Sequence, residues 1–382
     1  MPNTPQRVGL GDAIHLRYAG NRPATSPTPS SDLQLRVRSQ RACVVCGALG
    51  NRVYEALHDR FYPIPGAWDL TRCSVCGLMW LDPVPIEEDI HLAYQRYYTH
   101  SQSHPHGVRA LYATLSDIYV RQRLGYPAKA SLGIRMVARA FALLHPGGGA
   151  ELARKALFLN QPDDDLLLLD VGCGSGEFLA YMRGLGWRVE GVEVDPMAVE
   201  SARSLGLSVR EGELAAQNYP DRYADVVCLI HVIEHLHDPM STLVESLRIL
   251  KPNGRLVIAT PNGASLGHLW FKSNWWALDP PRHLMIFNPP SLRRLASSAG
   301  LEIQWLVSTA RRARNAWTLG RRLSYSATWD MSRPPALISS IVAIPFQLWE
   351  RLLIRAGREV GEELFMIARP RNKATVPTKG HI

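Results

Sequence analysis

A glycine turn at residues 171–176 narrows the possible folds of this chain more than any other segment. Leu166–Asp170, just before it, is short and mostly apolar, which predicts a buried strand. The turn reads Val-Gly-Cys-Gly-Ser-Gly, and glycine lets a backbone pass close to a ligand in conformations closed to other residues. A helix predicted from about Gly176 would point its free N–H groups at the space over the turn. The sequence therefore predicts a strand–turn–helix ligand site.

Strands and helices alternate after this turn. Predicted helices at residues 196–205 and 240–250 separate several short apolar segments. Buried parallel strands that are covered by helices on both faces have this pattern. We expect an α/β fold with a doubly wound, mostly parallel, seven-stranded sheet, whose strands are Leu166–Asp170, Arg188–Val194, Leu207–Arg210, Val226–Ile230, Leu256–Thr260, Leu301–Val307 and Leu364–Ala368.

Carboxylates near the strand ends indicate the kind of nucleotide that the turn would bind. A dinucleotide site needs Gly-x-Gly-x-x-Gly, whereas this turn is Gly-x-Gly-x-Gly with Glu177 in the last position. Asp170 places a carboxylate at the strand end, next to where a pyrophosphate would lie, and its charge suits a cationic or zwitterionic ligand better. Glu193 ends the second strand, where a ribose diol would lie, and Glu213 follows the third strand, near an adenine edge. The set fits an adenosine that carries an amino-acid tail.

The stretch Leu166 to Ser308 resembles the class I S-adenosylmethionine-dependent methyltransferases, with Asp-Val-Gly-Cys-Gly-Ser-Gly as their first motif. The runs that start at His231 and at Leu250 are similar to the signatures of that family after strand four and around strand five. The resemblance implies a Rossmann-like fold, S-adenosylmethionine as cofactor, and Leu364–Ala368 as a final antiparallel strand. It also implies the cofactor contacts: Asp170, Gly172, Gly174 and Gly176 at the methionine end, Glu193 at the ribose hydroxyls, and Glu213 or a neighbour at the adenine.

Two Cys-x-x-Cys-Gly pairs precede this region, at Cys43 and Cys46 and at Cys73 and Cys76. Each pair places two thiolates on one tight turn, and two such turns supply the four soft ligands of a structural zinc site. A closed shell of four thiolates leaves no open position for substrate, so we expect no catalysis there. The alternative is two pairs of thiols without metal, and neither pair opens a helix after a strand as a redox pair would.

A zinc ribbon ahead of a class I methyltransferase resembles bacterial sugar C-methyltransferases and their relatives. The run Cys76-Gly-Leu-Met-Trp-Leu-Asp-Pro, with Tyr94 and Tyr97-Tyr98 after it, is similar to the junction in that group. The resemblance implies an S-adenosylmethionine-dependent methyltransferase that methylates oxygen or carbon of a small molecule, namely a sugar, polyketide or glycolipid precursor. Two alternatives stay open: an RNA methyltransferase whose ribbon grips the nucleic acid, and a catalytically inactive scaffold.

Histidines crowd the end of the fourth strand, where substrate would meet cofactor. If this segment is helical, His231 and His235 lie four residues apart on one face with Glu234 beside them, and His283 arrives from beyond strand five. Three hypotheses remain: His235 or His231 is a general base, the four residues bind a divalent metal, or Glu234-His235 only packs the turn. The candidate catalytic residues are His235, His231 and Glu234.

Composition and charge divide the chain into units and restrict its partners. The predicted units are a disordered tail at 1–40, the zinc ribbon at 41–89, a helical connector at 90–160, the methyltransferase domain at 161–308 and 362–370, and a helical insert or lid at 309–361. The net charge of +9 is mild, and its clearest cationic run, residues 311–322, fits a solvated helix face, so nucleic acid is not favoured.

Residues 336–358 are apolar and then basic, which would suit peripheral membrane contact, although core packing or a lid fits as well. No run approaches the ~20 apolar residues of a membrane span, and residues 1–10 contain no apolar signal segment. We therefore expect a cytoplasmic protein.

Overall fold

The computed structural model describes residues 34–62, 64–94, 108–145, 148–162, 165–326, 328 and 337–371. These residues form a seven-stranded sheet, a four-stranded sheet and a two-stranded pair. The strands are β1 (Val37–Arg38), β2 (Gly50–Leu57), β3 (Trp68–Cys73), β4 (Met79–Leu81), β5 (Val84–Pro85), β6 (Leu167–Val171), β7 (Arg188–Glu193), β8 (Ser208–Glu211), β9 (Ala224–Ile230), β10 (Leu250–Pro261), β11 (Met285–Ile286), β12 (Leu301–Thr309) and β13 (Glu363–Pro370).

Eleven α-helices connect and cover these strands in the described ranges. They are α1 (Val108–Leu124), α2 (Leu132–Leu144), α3 (Gly148–Ala153), α4 (Glu177–Leu185), α5 (Pro196–Ser204), α6 (Pro239–Ile249), α7 (Leu266–Phe271), α8 (Pro289–Ser298), α9 (Ala313–Leu323), α10 (Leu337–Val342) and α11 (Ile344–Arg355). None of the described helices combines the length and the apolar character that crossing a bilayer requires.

The large sheet has the strand order β12-β13-β10-β9-β6-β7-β8. Strands β10, β9, β6, β7 and β8 run parallel, and β13 lies antiparallel between β10 and β12. The chain order reverses between β6 and β9, which opens a crevice at the carboxyl ends of these two strands. The predicted doubly wound, seven-stranded α/β sheet is confirmed.

Successive residues of the central strands point to opposite faces of the sheet, so the sheet has two separate cores. On one face Leu169 and Leu229 pack with Leu78 and Trp80 of the cysteine-bearing segment. On the other face Leu168 and its neighbours pack against the helical hairpin of α1 and α2. One face of the sheet therefore packs against residues 41–89, which we call the cysteine unit, and the other face packs against this hairpin.

Aspartate–proline and asparagine–proline pairs start three of the helices. Asp195 and Asp238 accept backbone N–H bonds at 3.0 Å from Met197 and Ser241, and Asn288 forms a capping box with Ser291. In each case proline follows in the first turn, where its missing N–H costs nothing. These capping side chains and prolines determine where α5, α6 and α8 begin, and so where the loops before these helices end.

The sheet of the cysteine unit is completed by a strand from much later in the chain. Its order is β11-β4-β3-β2, with Met285 and Ile286 of β11 paired to β4. Buried Arg282, just before β11, donates hydrogen bonds to Asp59 of the cysteine unit and to Asp279. The cysteine unit is therefore joined to residues 279–286. The division of the chain into five units stays a prediction. Residues 1–33 of the predicted tail lie outside the described residues.

A buried histidine gives the fold a dependence on pH. His145 is buried at the end of α2 and contacts the Tyr112 hydroxyl at 2.6 Å. Burial, helped by the cations of Arg314 and Arg351, lowers the pKa of His145 from 6.5 to about 4. Between pH 6.5 and pH 4 the imidazole of His145 is protonated in the unfolded chain but not in the folded chain. The contribution of His145 to the free energy of unfolding is therefore fully present above pH 6.5 and is lost as the pH falls towards 4.

We expect protonation of His145 to lower the free energy of unfolding by roughly 3 kcal/mol as the pH falls from 6.5 to 4, at about 1.4 kcal/mol per pKa unit. Urea unfolding of the wild type and of His145→Gln at pH 7 and pH 4.5 measures it. The variant should lose clearly less stability on acidification. Equal losses in the two proteins would show that His145 is not responsible.

Candidate functional site

The glycine turn lies between β6 and α4, at the crevice in the sheet, and its three glycines adopt left-handed conformations. Gly172, Gly174 and Gly176 have φ angles of 70°, 54° and 80°. A Cβ at Gly172 would lie 2.5 Å from a Val232 methyl, and one at Gly176 would lie 2.5 Å from a Leu207 methyl. At Gly174 a Cβ would meet nothing within 4 Å. The outer two glycines are required by packing, whereas Gly174 faces open space over the turn.

Asp170 presents a buried carboxyl oxygen at this turn without a hydrogen-bond partner. The residue is 3% exposed, and its Oδ1 has no partner among the described residues. Burial raises the pKa of Asp170 well above its usual range, and the nearby Glu193 carboxyl adds to the rise. An unpartnered buried oxygen is costly, so its presence at the end of β6, where the glycine turn begins, indicates the place of a ligand's donor group.

Glu193, at the end of β7, is tied to the same turn. Its carboxylate accepts backbone N–H bonds from Gly174 at 2.7 Å, Val194 at 2.9 Å and Asp195 at 3.0 Å. Burial raises the pKa of Glu193, although these N–H groups oppose the rise. Glu213 is exposed on the loop after β8, and its carbonyl accepts hydrogen bonds from Ala216 and Gln217. The structure thus brings Asp170 and Glu193 together at the turn and leaves the Glu213 carboxylate on the open side of the loop.

His231, directly after β9, lies between two buried carboxylates. Its Nδ1 is 3.1 Å from Glu234 and its Nε2 is 3.0 Å from Glu363. Burial would raise the pKa of Glu234, but His231 and the neighbouring histidines hold it at about 2. Because an ionised carboxylate only accepts hydrogen bonds, both ring nitrogens of His231 donate. The ring is held in one orientation at the rim of the crevice.

His235 points into a separate group with His283 and Glu234. One ligand atom from each of these residues lies within 4.8 Å of the others. Nδ1 of His235 donates to the Arg282 carbonyl at 2.9 Å and Nδ1 of His283 donates to the Ala277 carbonyl at 2.7 Å, since a carbonyl only accepts. Each ring therefore keeps Nε2 free to accept a proton or bind a metal, the arrangement common in metal-binding histidines. We call Glu234, His235 and His283 the rim triad.

The condition for one helical face shared by His231 and His235, a helical segment, is not met. His231 has a left-handed φ of 57°, and residues 233–235 form a single 3-10 turn. The break in the backbone directs His231 towards β13 and His235 towards Arg282. Of the four residues proposed for a metal, Glu234, His235 and His283 offer ligand atoms within 4.8 Å of one another. His231 contacts Glu234 but is not part of this group of three.

Sequence reasoning missed several residues of this rim. Glu363 opens β13 and accepts hydrogen bonds from Arg154, which lies before β6, while Thr260 donates to Glu234 at 2.9 Å and the Tyr94 hydroxyl lies 2.8 Å from His235. The available signal was the pair Glu362-Glu363, two acids directly before an apolar strand. Nothing local in the sequence connects that pair to Arg154.

The four cysteines Cys43, Cys46, Cys73 and Cys76 lie together at one end of the small sheet. Their sulfurs lie within 4.8 Å of one another. The closest contacts are 3.5 Å for Cys43–Cys76, 3.3 Å for Cys46–Cys73 and 3.7 Å for Cys46–Cys76. A zinc ion with Zn–S bonds of about 2.3 Å needs a sulfur–sulfur separation of about 3.8 Å in a tetrahedron. The donor set and its spacing fit zinc.

Both turns have the backbone geometry of a metal-binding knuckle. Gly47 and Gly77, after the second cysteine of each pair, have φ angles of 73° and 74°, which only glycine adopts readily. Backbone N–H groups of Val75 and Cys76 point at the Cys73 sulfur at 3.4 Å. Such N–H bonds stabilise a thiolate over a thiol, as a metal site requires.

Comparisons with known proteins agree with this arrangement. A family model described as a methyltransferase domain matches residues 149–305. The chain is 31% identical over 139 residues to a probable S-adenosylmethionine-dependent methyltransferase of Mycolicibacterium smegmatis, covering 36% of this chain and 52% of that protein. It is 30% identical over 153 residues to a ubiquinone biosynthesis O-methyltransferase of Thiobacillus denitrificans, covering 37% of this chain and 66% of that protein.

A mitochondrial ubiquinone biosynthesis O-methyltransferase of Schizosaccharomyces pombe is 33% identical over 111 residues, covering 27% of this chain and 40% of that protein. The matched region thus spans between two fifths and two thirds of the length of these relatives. The region matched by the family model, residues 149–305, contains the glycine turn, both carboxylates at that turn and the rim triad.

Proposed function

We propose that this chain, whose residues 149–305 carry a methyltransferase domain with the Rossmann-like fold of S-adenosylmethionine-dependent enzymes, transfers a methyl group from S-adenosylmethionine to a small molecule. The activity of the whole protein is a proposal because the match covers only part of the chain and of its relatives. The cofactor would lie over the glycine turn at the carboxyl ends of β6 and β9.

The observation that carries this proposal is the unpartnered oxygen of Asp170 at the start of a glycine turn whose Gly174 leaves open space. A carboxyl oxygen there can accept a hydrogen bond from the ammonium end of S-adenosylmethionine, and the positive charge of that group would favour the ionised form of Asp170, which repels a pyrophosphate. Asp170 and the turn glycines would hold the methionine end, Glu193 would lie nearest the ribose, and Glu213 or a neighbour would approach the adenine. Glu193 already bonds the Gly174 N–H, so cofactor binding would use or replace that bond.

Gly174→Ala tests the cofactor site with little disturbance of the fold. Its Cβ would meet no protein atom but would project into the proposed cofactor space, so we expect affinity for S-adenosylmethionine to fall at least about tenfold. The free energy of unfolding should fall by only roughly 1 kcal/mol, the cost of holding alanine at the left-handed φ of 54°. Isothermal titration calorimetry with S-adenosylmethionine measures the affinity.

Gly186→Ala is the matched control. Gly186, at the far end of α4, also has a left-handed φ, of 106°, and open space where a Cβ would lie. This variant should bind the cofactor as the wild type does. Equal affinity in both variants would remove the glycine turn as the cofactor site, and binding of NADH by the wild type in place of S-adenosylmethionine would overturn the proposed function.

The acceptor is proposed to be an oxygen or carbon of a sugar, polyketide or glycolipid precursor. Oxygen is favoured by the two relatives named as O-methyltransferases. The rim triad, whose proposed metal ion would polarise an acceptor oxygen, supports an acceptor that loses a proton on methylation. A cell extract incubated with the enzyme and methyl-labelled S-adenosylmethionine, followed by mass spectrometry, would identify the product.

We propose divided roles for the three candidate catalytic residues. His231 donates from both nitrogens to carboxylates, which suits positioning better than proton abstraction. Burial and the neighbouring His283 lower the pKa of His235 to about 4, so the ring is neutral, a weak base but a good metal ligand. With Glu234 and His283 it would hold a divalent cation that polarises the acceptor oxygen.

His283→Gln tests the metal hypothesis. We expect Mn²⁺ to raise the melting temperature of the wild type and not that of the variant, and the wild type to hold one more metal ion than the variant by elemental analysis. His237→Ala is the control, because His237 lies two residues from His235 but bonds the Pro85 carbonyl at 2.8 Å. If no ion binds and His235→Gln still slows turnover with cofactor affinity intact, His235 acts as the base instead.

The four cysteines are proposed to bind one structural zinc ion, within the unit predicted at residues 41–89. Zinc there would stabilise the fold and take no part in methyl transfer, since four thiolates fill its coordination. All six cysteines are free of disulfides. Thiolates that must stay reduced support a reducing compartment, so we propose the cytoplasm as the location.

A further inference from the structure

Helix α2 shows solvent an apolar face. It turns Ala138 and Ala142 towards the protein, with Phe141 partly buried against Tyr112. At the C-terminal end Leu143 and Leu144 are 86% and 85% exposed. The outward residues, at helical spacing on the side away from the two alanines, are Leu132, Met136, Val137, Leu143 and Leu144, all exposed. An exposed apolar helix face of this extent marks an interaction surface.

The charge around this face is of one sign. Residues 108–145 contain six basic side chains and one acidic one, Asp117, which pairs with Arg121 at 2.8 Å. Helix α2 itself has two arginines, Arg135 and Arg139, and no acid. Both are exposed and lie along one flank of the apolar face. The surface combines exposed leucines with a cationic border.

Helix α11 adds a second apolar stripe beside the end of α2. Leu348, Trp349 and Leu352 are exposed at helical spacing, and Arg355 follows on the same side. The Arg351 guanidinium reaches the His145 carbonyl at 3.4 Å, so the end of α2 and the middle of α11 are in contact.

A groove at the end of α2 is lined by residues of α1, α2 and α9, namely Tyr112, Phe141, Leu144, His145 and Arg314. Its walls are aromatic and aliphatic, with a cation at one side. Such a groove fits the apolar part and anionic headgroup of a lipid.

We propose that the outward faces of α2 and α11, which we call the α2–α11 face, dock onto an anionic lipid bilayer. Apolar side chains would enter the boundary between headgroups and acyl chains while Arg135, Arg139 and Arg355 pair with lipid phosphates. A second copy of the chain is a poorer occupant, because a symmetric contact would bring these like charges together. The inference does not depend on the methyl-transfer proposal, since vesicle binding needs no cofactor.

The test is co-sedimentation of the full chain with phosphatidylcholine vesicles that contain or lack phosphatidylglycerol. We expect binding to the anionic vesicles, weaker binding to the neutral ones, and loss of binding as salt is raised. Leu143→Asp on α2 and Leu352→Asp on α11 should each weaken binding at least about tenfold by placing a charge in the apolar contact. Val244→Asp on α6 is the control, because Val244 is also an exposed apolar residue, and this variant should bind as the wild type does.

Thermal unfolding of all three variants checks that they fold, which is expected because each residue is exposed. No binding of the wild type to anionic vesicles would overturn the proposal. Equal loss of binding in Val244→Asp would overturn it as well. A wild-type dimer that Leu143→Asp converts to a monomer, without vesicle binding by either form, would assign the face to a second copy instead.

Discussion

Cys76→Ser is expected to abolish zinc binding and to lower the free energy of unfolding by more than about 3 kcal/mol, since structural zinc contributes about 10 kcal/mol or more to folding in small zinc units. The serine hydroxyl is a poor substitute for a thiolate, and three sulfurs leave the zinc shell open. Elemental analysis should fall from one zinc per chain to a small fraction. Urea unfolding followed by tryptophan fluorescence gives the stability loss.

The loss should reach the rim as well as the cysteine unit. Cys76 belongs to the same core as Leu78 and Trp80, which pack on the large sheet. Strand β4, which includes Trp80, pairs with β11, and β11 begins two residues after His283. Because the rim triad is anchored to this segment, we expect turnover to fall together with zinc content.

Cys228→Ala is the control for this prediction. Cys228 is a buried cysteine in β9, far in sequence from the two pairs and outside the four-sulfur cluster. Its replacement by alanine removes one buried sulfur, at a cost of about 1 kcal/mol, and should leave one zinc per chain. A Cys76→Ser protein that keeps its zinc and its stability would show that the four thiols do not form a structural metal site.

The central strands of the large sheet were predictable because they are apolar runs buried on both faces, as β6 and β9 show. Leu364–Ala368 was predicted and Glu363–Pro370 is observed, and Val226–Ile230 lies within the observed Ala224–Ile230. The first strand was placed one residue early, since Val171 continues the ladder opposite Val192. Local hydrophobicity is sufficient for such strands, and their ends shift only where polar and apolar residues meet.

The pairing of β11 with β4 could not be predicted. Met285 and Ile286 form a strand of two residues, too short for a periodic pattern, and their partner lies about two hundred residues earlier in the chain. Long-range pairs of this kind depend on how the two halves pack. The joining of the cysteine unit to the rim therefore had no local signal.

Of the site, the glycine turn and its carboxylates were predictable, because turn chemistry is local. The orientation of His231 was not, because a left-handed histidine breaks the helical spacing on which the expectation rested. The carboxylate that holds its second nitrogen, Glu363, is 132 residues away. Sequence spacing can identify which residues lie at the rim of the crevice, but the orientation of a side chain such as His231 depends on buried charged partners that are distant in sequence.

Glu363→Gln is expected to lower the free energy of unfolding by about 3–5 kcal/mol, because it leaves a buried arginine without its partner charge. Glu363 is fully buried and accepts hydrogen bonds from both the Nε and Nη2 atoms of Arg154, which is 3% exposed as a side chain. Burial alone would raise the pKa of Glu363, but Arg154, His231 and Arg311 hold it well below its usual range. Loss of this charge should also release His231, so turnover should fall while affinity for S-adenosylmethionine is kept.

Two comparisons isolate the charge pair from the change of side chain. Glu302→Gln breaks an exposed ion pair between Glu302 of β12 and Arg369, which lies on β13 like Glu363. It should lower the free energy of unfolding by less than about 1 kcal/mol. Arg154→Met combined with Glu363→Gln removes both charges, and should be destabilised by clearly less than the sum of the two single variants. Additive losses in this double-mutant cycle, measured by urea unfolding, would show that Arg154 and Glu363 act independently and that the rim is not organised by their charge pair.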